Sequence, residues 1–342
     1  LCGALPSKIK AGLPAFLVSC LNQEFFDKLK SMNTTQSIED LIQLICELKS
    51  QLDLAEDTQL VQGKIEQSVE KIRSGMHPMQ RVHLARNPLR PNIEMIQKQL
   101  FCDFIEIHGD RQFADDAAIY GGVGTFLGRS WMLIGHHKGV DLQDRIHKNF
   151  GMPRPEGYRK ALRLAKLAEK FGIPILFVID TPGAHSDLES EQRGQGMAIA
   201  KNIYELSGIR VPTIAVITGE GSSGGALAIG VADRVLMLEN SVYSVISPES
   251  CASILFRSAD KKEIAAEQLH LDAQFLLEHK VIHEVIQEPF GCAHLDPVET
   301  IKRLEQAIYR HFEELKGVHL DQLMEQRYTF FRQMGEVSEC SN

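Results

Sequence analysis

The chain has 342 residues, 44% of them hydrophobic, with 37 basic against 45 acidic side chains for a net charge of −8. That length and apolar content supply a large core, and the acidic balance gives no overall basic field to draw the chain to nucleic acid or an anionic membrane. No apolar run approaches the ~20 residues that span a bilayer, and the seven scattered cysteines include no C-x-x-C pair for zinc or redox chemistry, which suits a reducing cytoplasm.

Residues 1–36 read as an N-terminal extension; Lys8 and Lys10 ahead of the apolar stretch 11–21 outline a weak signal-peptide core without a clean cleavage site. From 37 to 90 the apolar residues take helical spacing, Ile38, Leu41, Ile42, Ile45 and Leu48 in one set and Leu60, Val61, Ile65, Val69 and Ile72 in another. The polar stretch 53–59 separates them, predicting a helical hairpin. After Pro88 and Pro91, a helix is predicted over 93–104, then strands over 119–126 and 131–136 joined by a turn at Gly128.

The next stretch is rhythmic. A helix over 156–171 leads to a strand over 173–179 and the turn Asp180-Thr181-Pro182-Gly183-Ala184; a helix over 191–206 leads to a strand over 213–218 and a glycine-rich turn over 219–225. A short helix over 224–231 and a strand over 234–238 follow. Strand, turn and helix repeated in this order imply parallel strands with crossover helices, and both turns should face one crevice at the strand ends. Further on, 260–280 reads as helix, 281–287 as a short strand, and 297–315 and 321–333 as amphipathic helices for packing or oligomerisation.

The stretch GEGSSGGAL at 219–227 admits several chemistries. Gly219, Gly221 and Gly224 match G-x-G-x-x-G of dinucleotide binders, with Glu239 about 20 residues on as the ribose acid. A phosphate-binding P-loop fails, because Gly225-Ala226 stands where Lys-Ser/Thr is required. Gly221, Ser223 and Gly225 match G-x-S-x-G, making Ser223 a candidate nucleophile; Asp233, Asp260 or Asp272 and His279, His283 or His294 could complete a triad, and nothing singles out one. Lastly, Gly224 and Gly225 at a helix start could offer two backbone amides to a developing negative charge, an oxyanion hole without a nucleophile.

Several runs together resemble the carboxyltransferase alpha subunits of multisubunit acetyl-coenzyme A carboxylase: Arg154-Pro155-Glu156-Gly157-Tyr158-Arg159-Lys160-Ala161, the DTPGA turn, Glu191-Gln192-Arg193-Gly194-Gln195, GEGSSGGALAIG at 219–230, and Tyr243-Ser244-Val245-Ile246-Ser247-Pro248-Glu249. The resemblance extends in consistent order from about Ser37 to Gly335. It implies an α/β, crotonase-like fold (the ClpP/crotonase superfamily) with a core of repeated ββα turns over 91–295, preceded by the helical hairpin and followed by C-terminal helices over 296–342.

The implied activity is transfer of a carboxyl group from carboxybiotin, presented by a biotin carboxyl carrier protein, to acetyl-CoA, giving malonyl-CoA for fatty-acid synthesis. Implied partners are a beta subunit in an alpha2-beta2 assembly, with zinc on beta and no metal or covalent cofactor on this chain, and a biotin carboxylase. In this scheme Gly224 and Gly225 form the oxyanion hole for biotin, Gly183, Ala184, Gly221, Ser222 and Ser223 shape the pocket, and Arg193 orients a group there or at the interface. The biotin nitrogen takes the methyl proton of acetyl-CoA, and the second oxyanion hole comes from beta. Lys138, Arg145, Lys148, Arg154 and Arg159 are candidate contacts to CoA phosphates or an acidic partner.

The chain departs from the family pattern at His185-Ser186-Asp187, where Tyr-Pro-Gly is common, at Ser250, where Gly is usual, and at Phe256, where Trp is usual. Ser250 would be strained if its position needs positive φ. The rival functions are a serine hydrolase using Ser223 and a divergent, non-catalytic partner of a beta subunit.

Overall fold

The computed structural model describes residues 42–47 and 58–335. The expected N-terminal extension and the turn of the expected hairpin lie outside the described residues. Residues up to Met76 and those from His77 onward form two compact units. In the first, 42–47 are helical and α1 spans Thr58–Gly75, with Ile45, Ile65 and Val69 buried as their spacing predicts and Leu44 buried besides.

The second unit opens with α2 (Pro78–Ala85) and α3 (Ile93–Leu100), then β1 (Cys102–Glu106), β2 (Ile119–Phe126), β3 (Arg129–His136), α4 (Leu142–His147), α5 (Pro155–Phe171) and β4 (Ile175–Thr181). It continues with α6 (Leu188–Gln192), α7 (Gln195–Ser207), β5 (Thr213–Ser222), α8 (Ser223–Gly230), β6 (Arg234–Leu238), β7 (Val242–Ser244) and α9 (Pro248–Phe256). Helices α10 (Lys262–Leu269) and α11 (Ala273–Glu278), strand β8 (Glu284–Ile286), α12 (Pro297–Leu315) and α13 (Leu320–Arg332) complete it.

Among the described residues, eight strands form one sheet in the order β1-β2-β3-β4-β5-β6-β8, with β7 paired to β5. The β1–β2–β3 pairings are antiparallel, and every pairing from β3 to β8 is parallel, as the strand-helix rhythm requires. Alternation along the strands builds both faces. Met132, Ile134, Ile175, Phe177, Ile179 and Ile217 pack in one cluster with Leu164 and Ala165 of α5. Their neighbours Leu133, Leu176, Val178 and Val216 pack in another with Ile96 of α3 and Ile301, Leu304 and Ile308 of α12. Each such fully buried side chain contributes roughly 1.5–3 kcal/mol relative to exposure.

Besides shifts of two or three residues at strand ends, four elements differ from the sequence-based expectation. The helix expected over 93–104 stops at Leu100, because Phe101 is extended (φ −110, ψ 134) and 102–106 pair with β2. Phe101 stacks on Phe126 and Phe104 on Tyr120, so apolar spacing that mimics a helix serves a strand. The helix expected over 191–206 is two helices broken at Gly194 (φ 83), and that expected over 260–280 breaks at His270 (φ 46), where Val242 bridges to Asp272. Finally, β5 does not end at Thr218: it continues through Gly219, Glu220, Gly221 and Ser222, changing partner from β6 to β7. No helix among the described residues is long and apolar enough to cross a membrane.

Candidate active site

The extension of β5 decides how GEGSSGGAL works. Gly219 and Gly221 lie within β5, Gly221 paired to both Thr181 and Tyr243, so they form no turn to wrap a pyrophosphate, and Glu239 spends a carboxylate oxygen on the Glu288 amide, 3.0 Å away. The dinucleotide reading therefore has neither its turn nor its acid. The change of direction occurs at a single residue, Ser223, whose φ is 57. Helix α8 begins there, so Gly224 and Gly225 are its second and third residues.

Those two positions carry the amides that a capping side chain normally takes, and the N-cap Ser222 caps neither. Both amides therefore stand at the positive end of α8 with no side-chain acceptor. The companion turn lies directly against them. A Cβ on Gly225 would sit 2.6 Å from the Ala184 amide nitrogen and 2.6 Å from the Gly183 carbonyl carbon, so glycine is the residue that lets the turns meet. The two turns therefore lie against each other.

The DTPGA turn holds its own shape: the Thr181 hydroxyl accepts from the Gly183 amide at 3.0 Å and donates to the Gly183 carbonyl at 2.7 Å. Gly183 (φ 144) is thus a shaping residue whose amide is already used. Beside Gly224 opens a cavity of about 320 Å³ lined by Ser223, Leu227, Tyr243, Val245, Leu276 and Val281 among others. Burial pushes the Tyr243 phenol up to about 12, so it stays neutral. Gly221 and Ser222 are buried beneath the turn, with Gly221 paired to Tyr243.

Residues 24–335 match the family model described as acetyl co-enzyme A carboxylase carboxyltransferase-like. Carboxyl transferase alpha subunits of acetyl-coenzyme A carboxylase from Gemmatimonas aurantiaca and Thermus thermophilus are 50% and 48% identical, over 88% and 84% of this chain and 96% and 92% of their own lengths. This chain belongs to that alpha-subunit family. Solved structures agree on the fold at lower identity. The transcarboxylase 12S core superposes with a TM-score of 0.52 at 19% identity over 64% of this chain and 41% of that one. The P. aeruginosa geranyl-CoA carboxylase beta subunit does so at 0.52 and 19% over 69% and 44%. The fold is crotonase-like.

For an alpha-subunit family member, the basic residues ahead of the core are notably engaged. Lys138 is mostly buried and pairs with Asp180 at 2.6 Å and Glu220 at 2.8 Å. Lys148 pairs with Asp144 at 2.5 Å, Arg154 with Asp187 at 3.3 Å, and Arg159 with Asp110 at 2.7 Å and Glu156 at 3.1 Å. Arg145 lies over the Phe150 ring at 5.6 Å. Arg193 ends α6 instead of starting a helix; it donates to Glu156 at 2.7 Å and covers the Phe113 ring at 4.8 Å. Any anion that Lys138, Lys148, Arg154, Arg159 or Arg193 contacts must compete with a carboxylate already in place.

The family departures are accommodated. Asp187 caps α6 by accepting from the Ser190 amide at 2.7 Å. Ser250 sits within α9, where the Ser247 hydroxyl caps its amide at 3.2 Å, and its φ is not positive, so the expected strain is absent.

The hydrolase reading loses its partners. Ser223 has the positive φ that nucleophile elbows use, but no histidine lines its cavity. Asp233 is consumed by Arg327 and Thr213, Asp272 caps α11, and Asp260 lies in the short helical turn before α10; His283 accepts from the Val235 amide and packs, tilted, against the Phe330 ring. Among the described residues there is no group of three or more metal-ligating side chains, and Cys102 and Cys251 are free thiols.

Sequence reasoning passed over His136, the last residue of β3, which is 1% exposed. Its ring lies close to backbone groups of Gly225 and Val178 without an aligned hydrogen bond, and burial drives its pKa down to about 3. A folded value below the unfolded ~6.5 means that the unfolded chain binds the proton first as pH falls. Stability is therefore full above pH ~6.5 and drains away as pH falls toward 3. Between pH 6.5 and 5, above the range where unfolded carboxylates titrate, His136 alone should cost about 2 kcal/mol. Urea unfolding at pH 7 and pH 5 checks this: His136→Gln should show the shallower pH dependence, and equal slopes would mean that the ring is not held neutral.

Proposed function

We propose that this chain is the alpha subunit of a biotin-dependent carboxyltransferase, acting in the cytoplasm with a homologous beta subunit to carboxylate acetyl-CoA to malonyl-CoA. The carboxyl donor in this reading is carboxybiotin on a carrier protein served by a biotin carboxylase. The observation that carries it is the uncapped pair of amides, Gly224 and Gly225, seated against the Gly183-Ala184 turn.

The residues fit such a donor. The cavity beside Gly224 is walled by Leu227, Val245, Leu276 and Val281, suiting the apolar face of a small bicyclic urea whose polar edge points to the amides. When bound there, carboxybiotin supplies the carboxyl group, and its ureido oxygen is where negative charge gathers. The chain's contribution is electrostatic: two preorganised amides at the start of α8 stabilise that charge in a water-poor setting. No carboxylate, histidine or lysine lines the cavity, and Tyr243 stays protonated, so this chain holds and orients without exchanging protons. The second oxyanion hole, for the acetyl-CoA enolate, falls to beta, and with it the zinc.

The test is reconstitution. This chain alone should make no malonyl-CoA from acetyl-CoA and carboxybiotin, the complex with beta should, and a fluorophosphonate should leave Ser223 unlabelled. Turnover by beta alone equal to that of the complex, or labelling lost in Ser223→Ala, would sink the reading.

A further inference from the structure

Underneath the two turns lies a cluster of five charged side chains that the reading above does not use. Asp180, next to last in β4, has one carboxylate oxygen that accepts from Lys138 Nζ at 2.6 Å and from the backbone amide of Glu220 at 2.9 Å. Glu220, in β5, divides its oxygens: Oε2 accepts from Lys138 at 2.8 Å and Oε1 from Arg86 Nε at 2.7 Å. Arg86, capping the end of α2, turns its other face to Glu249 of α9, at 2.6 and 3.2 Å. The Glu220 side chain is 6% exposed and those of Lys138 and Asp180 16% and 17%, so water screens these charges poorly. Both lysine and arginine are held more firmly protonated by the carboxylates, and Glu220 and Glu249 are held ionised.

The placement is specific. Asp180 opens one turn and Glu220 precedes the other, and their link is main-chain to side-chain, fixing the backbone itself. Gly219 makes the approach feasible, since a Cβ there would meet Asp180 Oδ1 at 2.3 Å. A buried ionic cluster is rarely the cheapest way to gain stability, because apolar side chains of similar volume often do as well. What it supplies is geometry, and a displacement of about 1 Å at reacting groups can cost on the order of 10²-fold in rate.

We propose that Asp180, Lys138 and Glu220 form a strut that holds the Gly183-Ala184 and Gly224-Gly225 turns in register, with Arg86 and Glu249 tying the strut to α9. These are positioning residues: they act through the turns and touch no substrate. The inference rests on the carboxyltransferase reading for its catalytic consequence, whereas the mechanical part stands by itself.

The experiment uses Asp180→Ala and Asp180→Asn in the full chain, by hydrogen-deuterium exchange without partners and by kinetics after assembly with beta. Asp180→Ala should speed exchange in the segments 180–186 and 219–226 together. It should lower kcat about 10²-fold with KM for acetyl-CoA within about twofold, the split expected when only transition-state contacts are misplaced. Asp180→Asn keeps an acceptor for the Glu220 amide and should recover about tenfold of the loss.

If Asp180→Ala does not fold, the neutral pair Lys138→Met with Glu220→Gln takes its place with the same expected kinetics. Unchanged exchange over 219–226, or kcat within about threefold of wild type in a folded complex, overturns the strut. Coupled exchange in a wild-type complex that makes no malonyl-CoA would support the strut's mechanical role and reject the carboxyltransferase reading instead.

Discussion

Gly225→Ala is expected to lower kcat for malonyl-CoA formation about 10²-fold or more, the order lost when one oxyanion donor is removed. The added methyl has nowhere to go: its neighbours at 2.6 Å are the Ala184 nitrogen and the Gly183 carbonyl carbon, main-chain atoms of a turn pinned by Thr181. Relief requires the two turns to separate, which moves the Gly225 amide and its neighbour together. Overpacking of this kind also costs about 1–3 kcal/mol of stability, so activity is to be compared at a temperature where both proteins are folded.

Gly224→Ala is the informative control. A Cβ at 224 meets only the Ile199 side chain, Cγ2 at 3.4 Å and Cδ1 at 3.8 Å, so the fold should tolerate it with little change in unfolding midpoint. If Gly225→Ala keeps wild-type kcat within a folded complex, these amides are not the oxyanion hole.

The second large effect concerns stability. Arg327 of α13 is 1% exposed and makes a two-pronged ion pair with Asp233, Nε to Oδ1 at 2.8 Å and Nη2 to Oδ2 at 2.9 Å. Its remaining hydrogens reach the carbonyls of Leu206 and Ile209, each at 2.9 Å, at the end of α7 and the approach to β5. Arg327→Ala leaves Asp233 charged, buried and short of a partner, and should destabilise the chain by about 3–5 kcal/mol.

A differential scan should register a fall in midpoint of roughly 6–20 °C. Lysine at 327 should rescue little, since one ammonium cannot satisfy a planar fork's worth of acceptors. Asp233→Asn combined with Arg327→Met should cost less than Arg327→Ala alone, because the orphaned charge is gone. A small effect of Arg327→Ala would mean that α13 is dispensable to the core.

Much of this molecule is legible in its local sequence. Helix α12 lies where Pro297 and the following apolar spacing put it, with Asp296 accepting from the Glu299 amide to cap it. Strands β4 and β6 follow from apolar runs, and the DTPGA and GEGSSGGAL motifs mark the two turns that meet. In each case the signal is short-range: a period of 2 or 3.6, a capping side chain, a glycine. Helix ends are less legible where a second signal competes. Phe101 and Phe104 keep helical spacing, and yet Phe101 ends the helix and Phe104 joins a strand, because β2 offers them ring partners that no local pattern announces.

By itself, the sequence determined that the central strands run parallel and which family the chain belongs to, because contiguous residues carry those signals. Only the tertiary structure decided where β5 ends, since its last residues are strand by virtue of pairing with β7, which lies 20 residues further along. Likewise, Lys138 changed from a candidate phosphate contact into the hub of a buried cluster, and Glu220, a lone acid between two glycines, became its partner. Arg327 finds Asp233 across 94 residues. A charge does not name its partner in one dimension: with 45 acidic side chains available, only the path of the chain chooses, and burial then makes the choice matter.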